Sequence, residues 1–234
     1  MPPISTPAQR HYQRMMAANS ADTATTGQPQ TGEVYELMQA ALWEARRTLK
    51  AIQSIEAKVE KKRELLPQFY PYIDGVLEAN KGAQDDVIMT LMVWFFDVGD
   101  IATGLQIAEY AMRHGLKTPD RYQRDTASLV TEQVADESLK TLTTLEQTDG
   151  AEPDYQLLEN LVRTDQLTAK ADMHDQIRTK LHKALGYTNR QCGRTEEAIN
   201  HLNRALQLND KVGVKKDIEK LQRDLKKQQD DSKS

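Results

Sequence analysis

Apolar positions along this 234-residue chain recur at spacings of three and four, and strand-like alternation is nearly absent. The densest stretch runs from Lys61 to Leu116. Within it Ile88, Leu91, Met92 and Phe95 precede Val98-Gly99-Asp100, and Ile101, Leu105, Ala108 and Met112 follow it. This pattern predicts two helices joined by a tight turn, an αα-hairpin.

Upstream, residues Glu33 to Arg63 contain neither glycine nor proline and are rich in helix formers. Tyr35, Met38, Leu42, Ala45, Leu49, Ile52 and Val59 alternate at three and four, with Glu56 the polar interruption. The expectation is one long coiled-coil-like helix over 33–64 that self-associates through Tyr35, Met38, Leu42, Leu49, Ile52 and Val59. The alternative is an amphipathic helix packed on its own domain. Pro67 and Pro71 stop the helix, since proline lacks the amide donor and restricts its predecessor. Phe69, Tyr70 and Tyr72 are expected to pack on the hairpin. A short helix carrying Ile73, Val76 and Leu77 then ends near Asn80-Lys81-Gly82, where glycine accepts a left-handed cap.

A second hairpin is expected near the C-terminus. Leu185, Gly186, Gly193, Ala198, Leu202 and Ala205 follow a tetratricopeptide-like spacing, and Leu91, Met92, Gly99, Gly104, Ala108 and Ala111 take the same places 94 residues upstream. Two isolated units cannot cover their own faces, so each needs other helices. Tyr155–Leu167, Met173–Leu181 and Val214–Lys227 supply them, the last with Val214, Ile218, Leu221 and Leu225 as its stripe. The chain thus reads as all-α: a disordered basic arm over 1–32, the long basic helix over 33–64, a central hairpin core over 65–118, a connector over 119–150 with a helix at about Thr131–Leu145, and a C-terminal helical domain over 151–234. Thr6–His11 and Arg14 are the part of the arm able to begin a short helix.

Charge changes this picture more than composition does. The net charge of −4 hides a segregation. Residues 1–82 carry ten basic against nine acidic side chains, 83–176 seven against eighteen, and 177–234 fourteen against eight. Basic ends and an acidic middle point to a polyanion on one face and a different partner on another. Arg46, Arg47, Lys50, Lys58, Lys61, Lys62 and Arg63, with Arg10 and Arg14 in the arm, are the candidate phosphate contacts. A solvated helix face is the plain alternative. No apolar run is long enough for a membrane span, and no secretory leader is expected at the N-terminus. The single cysteine, Cys192, reads as an inert thiol in a reducing compartment.

Asp85 and Asp86, with Asp97 and Asp100 beyond, are the acids that could hold a divalent metal for phosphodiester cleavage. The stronger reading places them at helix N-termini and the hairpin turn. No phosphate-cradling glycine loop or dinucleotide fingerprint is present. His11, His114, His174, His182 and His201 show no zinc spacing, so no metal or intrinsic cofactor is expected. From the residues, the chain is an all-helical, oligomeric binding protein.

TPAQRH at 6–11, RTLKAI at 47–52, KKRELLP at 61–67, GVLEANKGAQDDVIMTLMVW at 75–94, GDIATGLQIAEYA at 99–111, TAKADMHDQIRTKLHK at 168–183 and GVKKDIEKLQRDLK at 213–226 resemble the terminase small subunit of peduovirus-type tailed phages. The resemblance implies a DNA-packaging role in the host cytoplasm. Its partners would be double-stranded phage DNA at the cohesive-end site, the large ATPase subunit and further copies of the chain. Proteins of this kind are also labelled terminase endonuclease subunits. That reading would bring in magnesium at Asp85, Asp86, Asp97 and Asp100; a protein-only helical-repeat adaptor is the third reading.

Overall fold

A computed structural model describes residues 6–22, 25–119, 124–148 and 152–231. Expectations for 1–5, 23–24, 120–123, 149–151 and 232–234, at the ends of the arm, in the connector and at the C-terminus, lie outside the described residues. Among the described residues the secondary structure is helical apart from one isolated parallel bridge between Pro29 and Gln84. The chain divides into two compact units, residues 1–126 and 127–234.

The first unit is built around α5 (Asp86–Asp97), whose residues from Val87 to Phe96 are all buried. A helix apolar on every side must be enclosed by other elements. Its partners are α2 (Glu33–Lys50), a 3₁₀ turn at Leu66–Phe69 and α6 (Ile101–His114). The α5–α6 hairpin turns at Gly99, which has φ +83°. Asp100 caps α6 through Thr103 N at 3.1 Å. A Cβ at Gly104 would lie 2.4 Å from the Phe96 ring, so glycine sets how closely the two helices approach.

Two expectations for the N-terminal third are corrected. The arm is not disordered where it is described: α1 spans Pro7–Asp22. Thr6 and Gln9 form a reciprocal capping box, at 3.2 Å to Gln9 N and 2.8 Å to Thr6 N, with Pro7 as first helical residue. Ala17 and Ala21 are buried, and α1 lies so close to α4 (Tyr70–Ala79) that a Cβ on Gly75 would sit 2.6 Å from Ala17 Cβ. Residues 27–30 then bond to the loop after α4, with Gly27 N to Gly82 O at 2.9 Å and Gln30 N to Gln84 O at 2.8 Å.

The long helix over 33–64 is likewise not continuous. α2 ends at Lys50, and α3 (Ile55–Leu65) begins after Ser54, whose Oγ accepts from Ala57 N at 3.3 Å. The heptad seam is covered in part within the protomer. Tyr35, Leu42 and Leu49 are buried, and Met38, Ile52 and Val59 half-buried. Between α4 and α5 the left-handed cap is Asn80, at φ 52°, with Gly82 also at positive φ in the loop that follows.

The second unit contains α7 (Thr126–Glu146, its first residue at the unit boundary), α8 (Tyr155–Thr168), α9 (Asp175–Gln191), α10 (Thr195–Leu208) and α11 (Lys215–Asp231). The connector helix is therefore longer than expected, with Val130, Val134, Ala135 and Leu142 buried. Lys180 on α9 reaches it, 3.1 Å from Glu132 and 2.9 Å from Asp136. Met173–Leu181 is not a separate helix, since α9 runs unbroken to Gln191. The α9–α10 hairpin turns at Gly193, φ +72°, and Gly186 faces Leu202 at a distance that leaves no room for a Cβ. Val214, Ile218 and Leu221, on and just before α11, close the small core with Ala198 and Leu202.

Candidate nucleic-acid interface

The cations singled out in the sequence all lie in the first unit, on α1, α2 and α3. Their side chains divide by what they touch. Arg14 is 2.9 Å from Glu78 on α4 and pins α1 there. Arg46 turns inward and donates to Thr90 Oγ1 on α5 at 2.7 Å. Lys62 lies 2.5 Å from Asp97 at the end of α5 and over the Trp94 ring at 5.8 Å. Arg63 pairs with Glu60 and donates to the Val98 carbonyl at 3.0 Å, bracing α3 on the hairpin turn. These side chains join helices, and their charge is engaged within the fold.

Arg10, Arg47 and Lys50 are exposed, while Lys58 and Lys61 are half-buried along α3. Arg47 is 3.7 Å from Glu44 and lies over the exposed Trp43 ring at 5.9 Å, and Lys61 is 2.6 Å from Glu64. Such pairs within one helix contribute at most about 1 kcal/mol at the surface, so a phosphate can replace the carboxylate at small cost. The break at Ala51–Ser54 brings the basic last turn of α2 and the start of α3 together in sequence around Lys50 and Lys58. The long basic helix is thus replaced by two shorter ones that carry Arg47, Lys50, Lys58 and Lys61.

The four candidate acids are each placed by local structure. Asp85 is 1% exposed and caps α5, its Oδ1 accepting from Val87 N at 2.9 Å and Ile88 N at 3.1 Å. Its Oδ2 accepts from Tyr72 OH at 2.5 Å. Burial pushes the Asp85 carboxyl up to about 6, against the opposing pull of Tyr72 and the two amides. Burial, then the neighbouring Asp85 charge, raises Tyr72 well above the usual phenol range. Asp86 is exposed in the first turn of α5, Asp97 is held by Lys62, and Asp100 caps α6. Among the described residues, no group of three or more His, Cys, Asp or Glu side chains is spaced to hold a metal ion.

His182 on α9 and His201 on α10 form a pair, with Nδ1 atoms 3.1 Å apart and stacked rings. Burial pushes His182 down to about 4. Cys192 is half-buried, and burial raises its thiol, as befits an unreactive side chain. Sequence reasoning missed Trp43, Leu37 and Tyr12, which are 61%, 64% and 65% exposed. The signal was available: Leu37 and Trp43 are bulky apolar residues that fall off the heptad seam.

Among the described residues the protein is helical, with Arg47, Lys50, Lys58 and Lys61 on α2 and α3, while Asp85 and Asp100 serve as caps and Asp97 pairs with Lys62. No helix among the described residues is long and apolar enough to cross a membrane. A family profile described as phage small terminase subunit matches residues 39–176. The chain is 45% identical over 223 residues to "Terminase, endonuclease subunit" of Escherichia phage P2, covering 95% of this chain and 87% of that protein. It is 26% identical over 230 residues to "Probable terminase, endonuclease subunit" of Haemophilus phage HP1, covering 91% and 79%. The chain belongs to the phage small terminase subunit family. No solved structure matches it.

Proposed function

We propose that this chain is the DNA-recognising subunit of a phage terminase, working in the host cytoplasm without catalytic action of its own. It binds the cohesive-end packaging site on concatemeric viral DNA and presents that DNA to the large ATPase subunit. The observation that carries this reading is the set of accessible cations Arg47, Lys50, Lys58 and Lys61 on α2 and α3 in a member of a DNA-packaging family. Each phosphate neutralised releases counterions, so affinity should fall steeply with salt. The α9–α10 hairpin, which we read as tetratricopeptide-like, is the part suited to protein contact.

A second reading has one observation in its favour: both similar phage proteins are named endonuclease subunits. On it, Asp85, Asp86, Asp97 and Asp100 would be the acids and magnesium the metal. The buried cap at Asp85 and the Lys62 brace at Asp97 favour the non-catalytic reading. Assays of DNA binding and of magnesium-dependent cutting, with and without the large subunit, separate the two. Binding by this chain alone, with cutting only when the large subunit is added, supports the proposal. Cutting by the purified chain overturns it.

A further inference from the structure

Trp43 is an aromatic side chain that the packing of the first unit leaves unused. It is 61% exposed on α2, whereas Trp94, the other tryptophan of the chain, is 5% exposed. A lone exposed apolar residue carries little by itself; the surroundings of this one give it a use. Arg47 and Lys50 follow four and seven residues on, so the ring and two accessible cations share one face of the helix. The Arg47 guanidinium lies 5.9 Å from the ring centroid and restrains the ring. Trp43 also lines an open depression of about 530 Å³ between α2 and the first turn of α5, together with Glu36, Gln39, Arg46 and Asp86.

We infer that Trp43 stacks on an extruded base of the DNA whose phosphates Arg47 and Lys50 hold, the depression beside the ring receiving that base. The cations on the same helix face bring the backbone past the ring. Within the depression the carboxylates of Glu36 and Asp86 repel a phosphate, and Arg46 is turned away to Thr90, so an uncharged group is admitted there and an anion is not. The other lining side chains include Leu42 and Val87, both buried, so the depression lacks the exposed apolar centre that a protein interface uses. A base suits it on both counts: its π-face stacks on the indole, and its edge can bond the Gln39 amide at the rim. Taking a base out of the duplex costs least at easily unstacked steps, so Trp43 contributes to the choice of site where Arg47 and Lys50 contribute general affinity. This inference rests on the reading that α2 and α3 bind DNA.

The test is titration of the full chain with a duplex carrying the cohesive-end site, read by intrinsic fluorescence and by anisotropy over a salt series. Because Trp94 is buried, the emission change on binding reports Trp43. It should be a quench in the unaltered chain and should be absent in Trp43→Phe. Trp43→Ala, at an exposed position and with unchanged helical circular dichroism, should bind roughly fivefold or more weakly, as loss of one base stack does. Its salt slope should stay parental, because no phosphate contact is lost. Trp43→Phe, which keeps an aromatic face, should recover most of the affinity. Parental affinity in Trp43→Ala, or no quench in an unaltered chain that binds the duplex, overturns the inference and leaves the DNA-binding reading standing. So does a fall in the salt slope of Trp43→Ala, which would make the ring a support for Arg47 alone. Parental DNA binding with lost binding to the large subunit would assign the ring to that protein. An unaltered chain that binds no duplex at low salt overturns both readings together.

Discussion

Lys62 Nζ lies 2.5 Å from Asp97 Oδ2, and the two residues tie α3 to the end of α5. In the sequence they were candidates for different tasks, one for phosphate contact and the other for metal binding. In the fold each satisfies the other, and the Lys62 chain also crosses the Trp94 ring. Lys62→Ala should therefore lower the stability of the N-terminal unit by about 1.5–3 kcal/mol, the range for a hydrogen bond to a charged group. It should change DNA affinity far less than Lys50→Ala or Lys58→Ala. Chemical denaturation and DNA titration of the same three variants check the contrast.

Gly75 makes the contact that orders α1. Any side chain there meets Ala17 Cβ and the Arg14 carbonyl at 2.6 Å. Gly75→Val should displace α1 and cost about 1–3 kcal/mol, as overpacking does. Limited proteolysis should then cut between residues 7 and 22, where the unaltered chain resists.

The two units should respond oppositely to mild acid. Asp85 titrates near 6 when folded, above its ordinary value of 3.8. Its contribution is present below about 4 and is lost as pH rises through 6. His182 titrates near 4 when folded, below its ordinary 6.5, because of burial and the facing His201, Arg178 and Arg204, with Asp165 opposing. Its contribution is present above 6.5 and is lost as pH falls through 4. Asp85→Asn, which can keep the cap to Val87 and Ile88, should remove the first trend, and His182→Gln the second. Denaturation midpoints of the parent and both variants between pH 4 and 7 measure this directly.

The acids give a separate prediction about chemistry. Asp85→Ala removes a helix cap and leaves Tyr72 OH without its partner, and should cost about 2–4 kcal/mol. Its effect on any assay would report unfolding as much as function. The combination Asp85→Asn with Asp86→Ala preserves the fold, and cohesive-end cutting in the presence of the large subunit should proceed at the parental rate. A rate at least a hundredfold lower in that folded variant would place a catalytic acid here.

The hairpins were readable because their signals are local and redundant. Apolar periodicity, a glycine at each turn and small residues at the close approaches all agree around Gly99 and Gly193. The arm was misread because α1 buries alanines, not large apolar residues, and only the Thr6–Gln9 box announced it. The break in the long helix was hidden because Ser54 carries no proline, glycine or matching acid at the fourth position to mark it. Of the expected seam, Tyr35, Met38, Leu42 and Leu49 lie on α2 while Ile52 and Val59 fall beyond the break, and periodicity cannot say whether a stripe faces its own core or a partner. Division of the cations was invisible for a similar reason. Lys58 and Lys62 look alike in sequence, and only the position of Asp97, 35 residues away from Lys62, separates a bracing lysine from an accessible one.

DNA contact through the accessible cations of α2 and α3 is tested most directly by DNA affinity measured across a salt series. Fluorescence anisotropy with a duplex carrying the cohesive-end site should give, for the full chain, log affinity falling linearly with log salt. In the Arg47→Glu, Lys50→Glu, Lys58→Glu, Lys61→Glu variant, the slope should shrink by about 3–4, with affinity down at least a hundredfold at low salt and helicity unchanged. A folded variant that binds with the parental affinity and the parental salt slope would contradict the account.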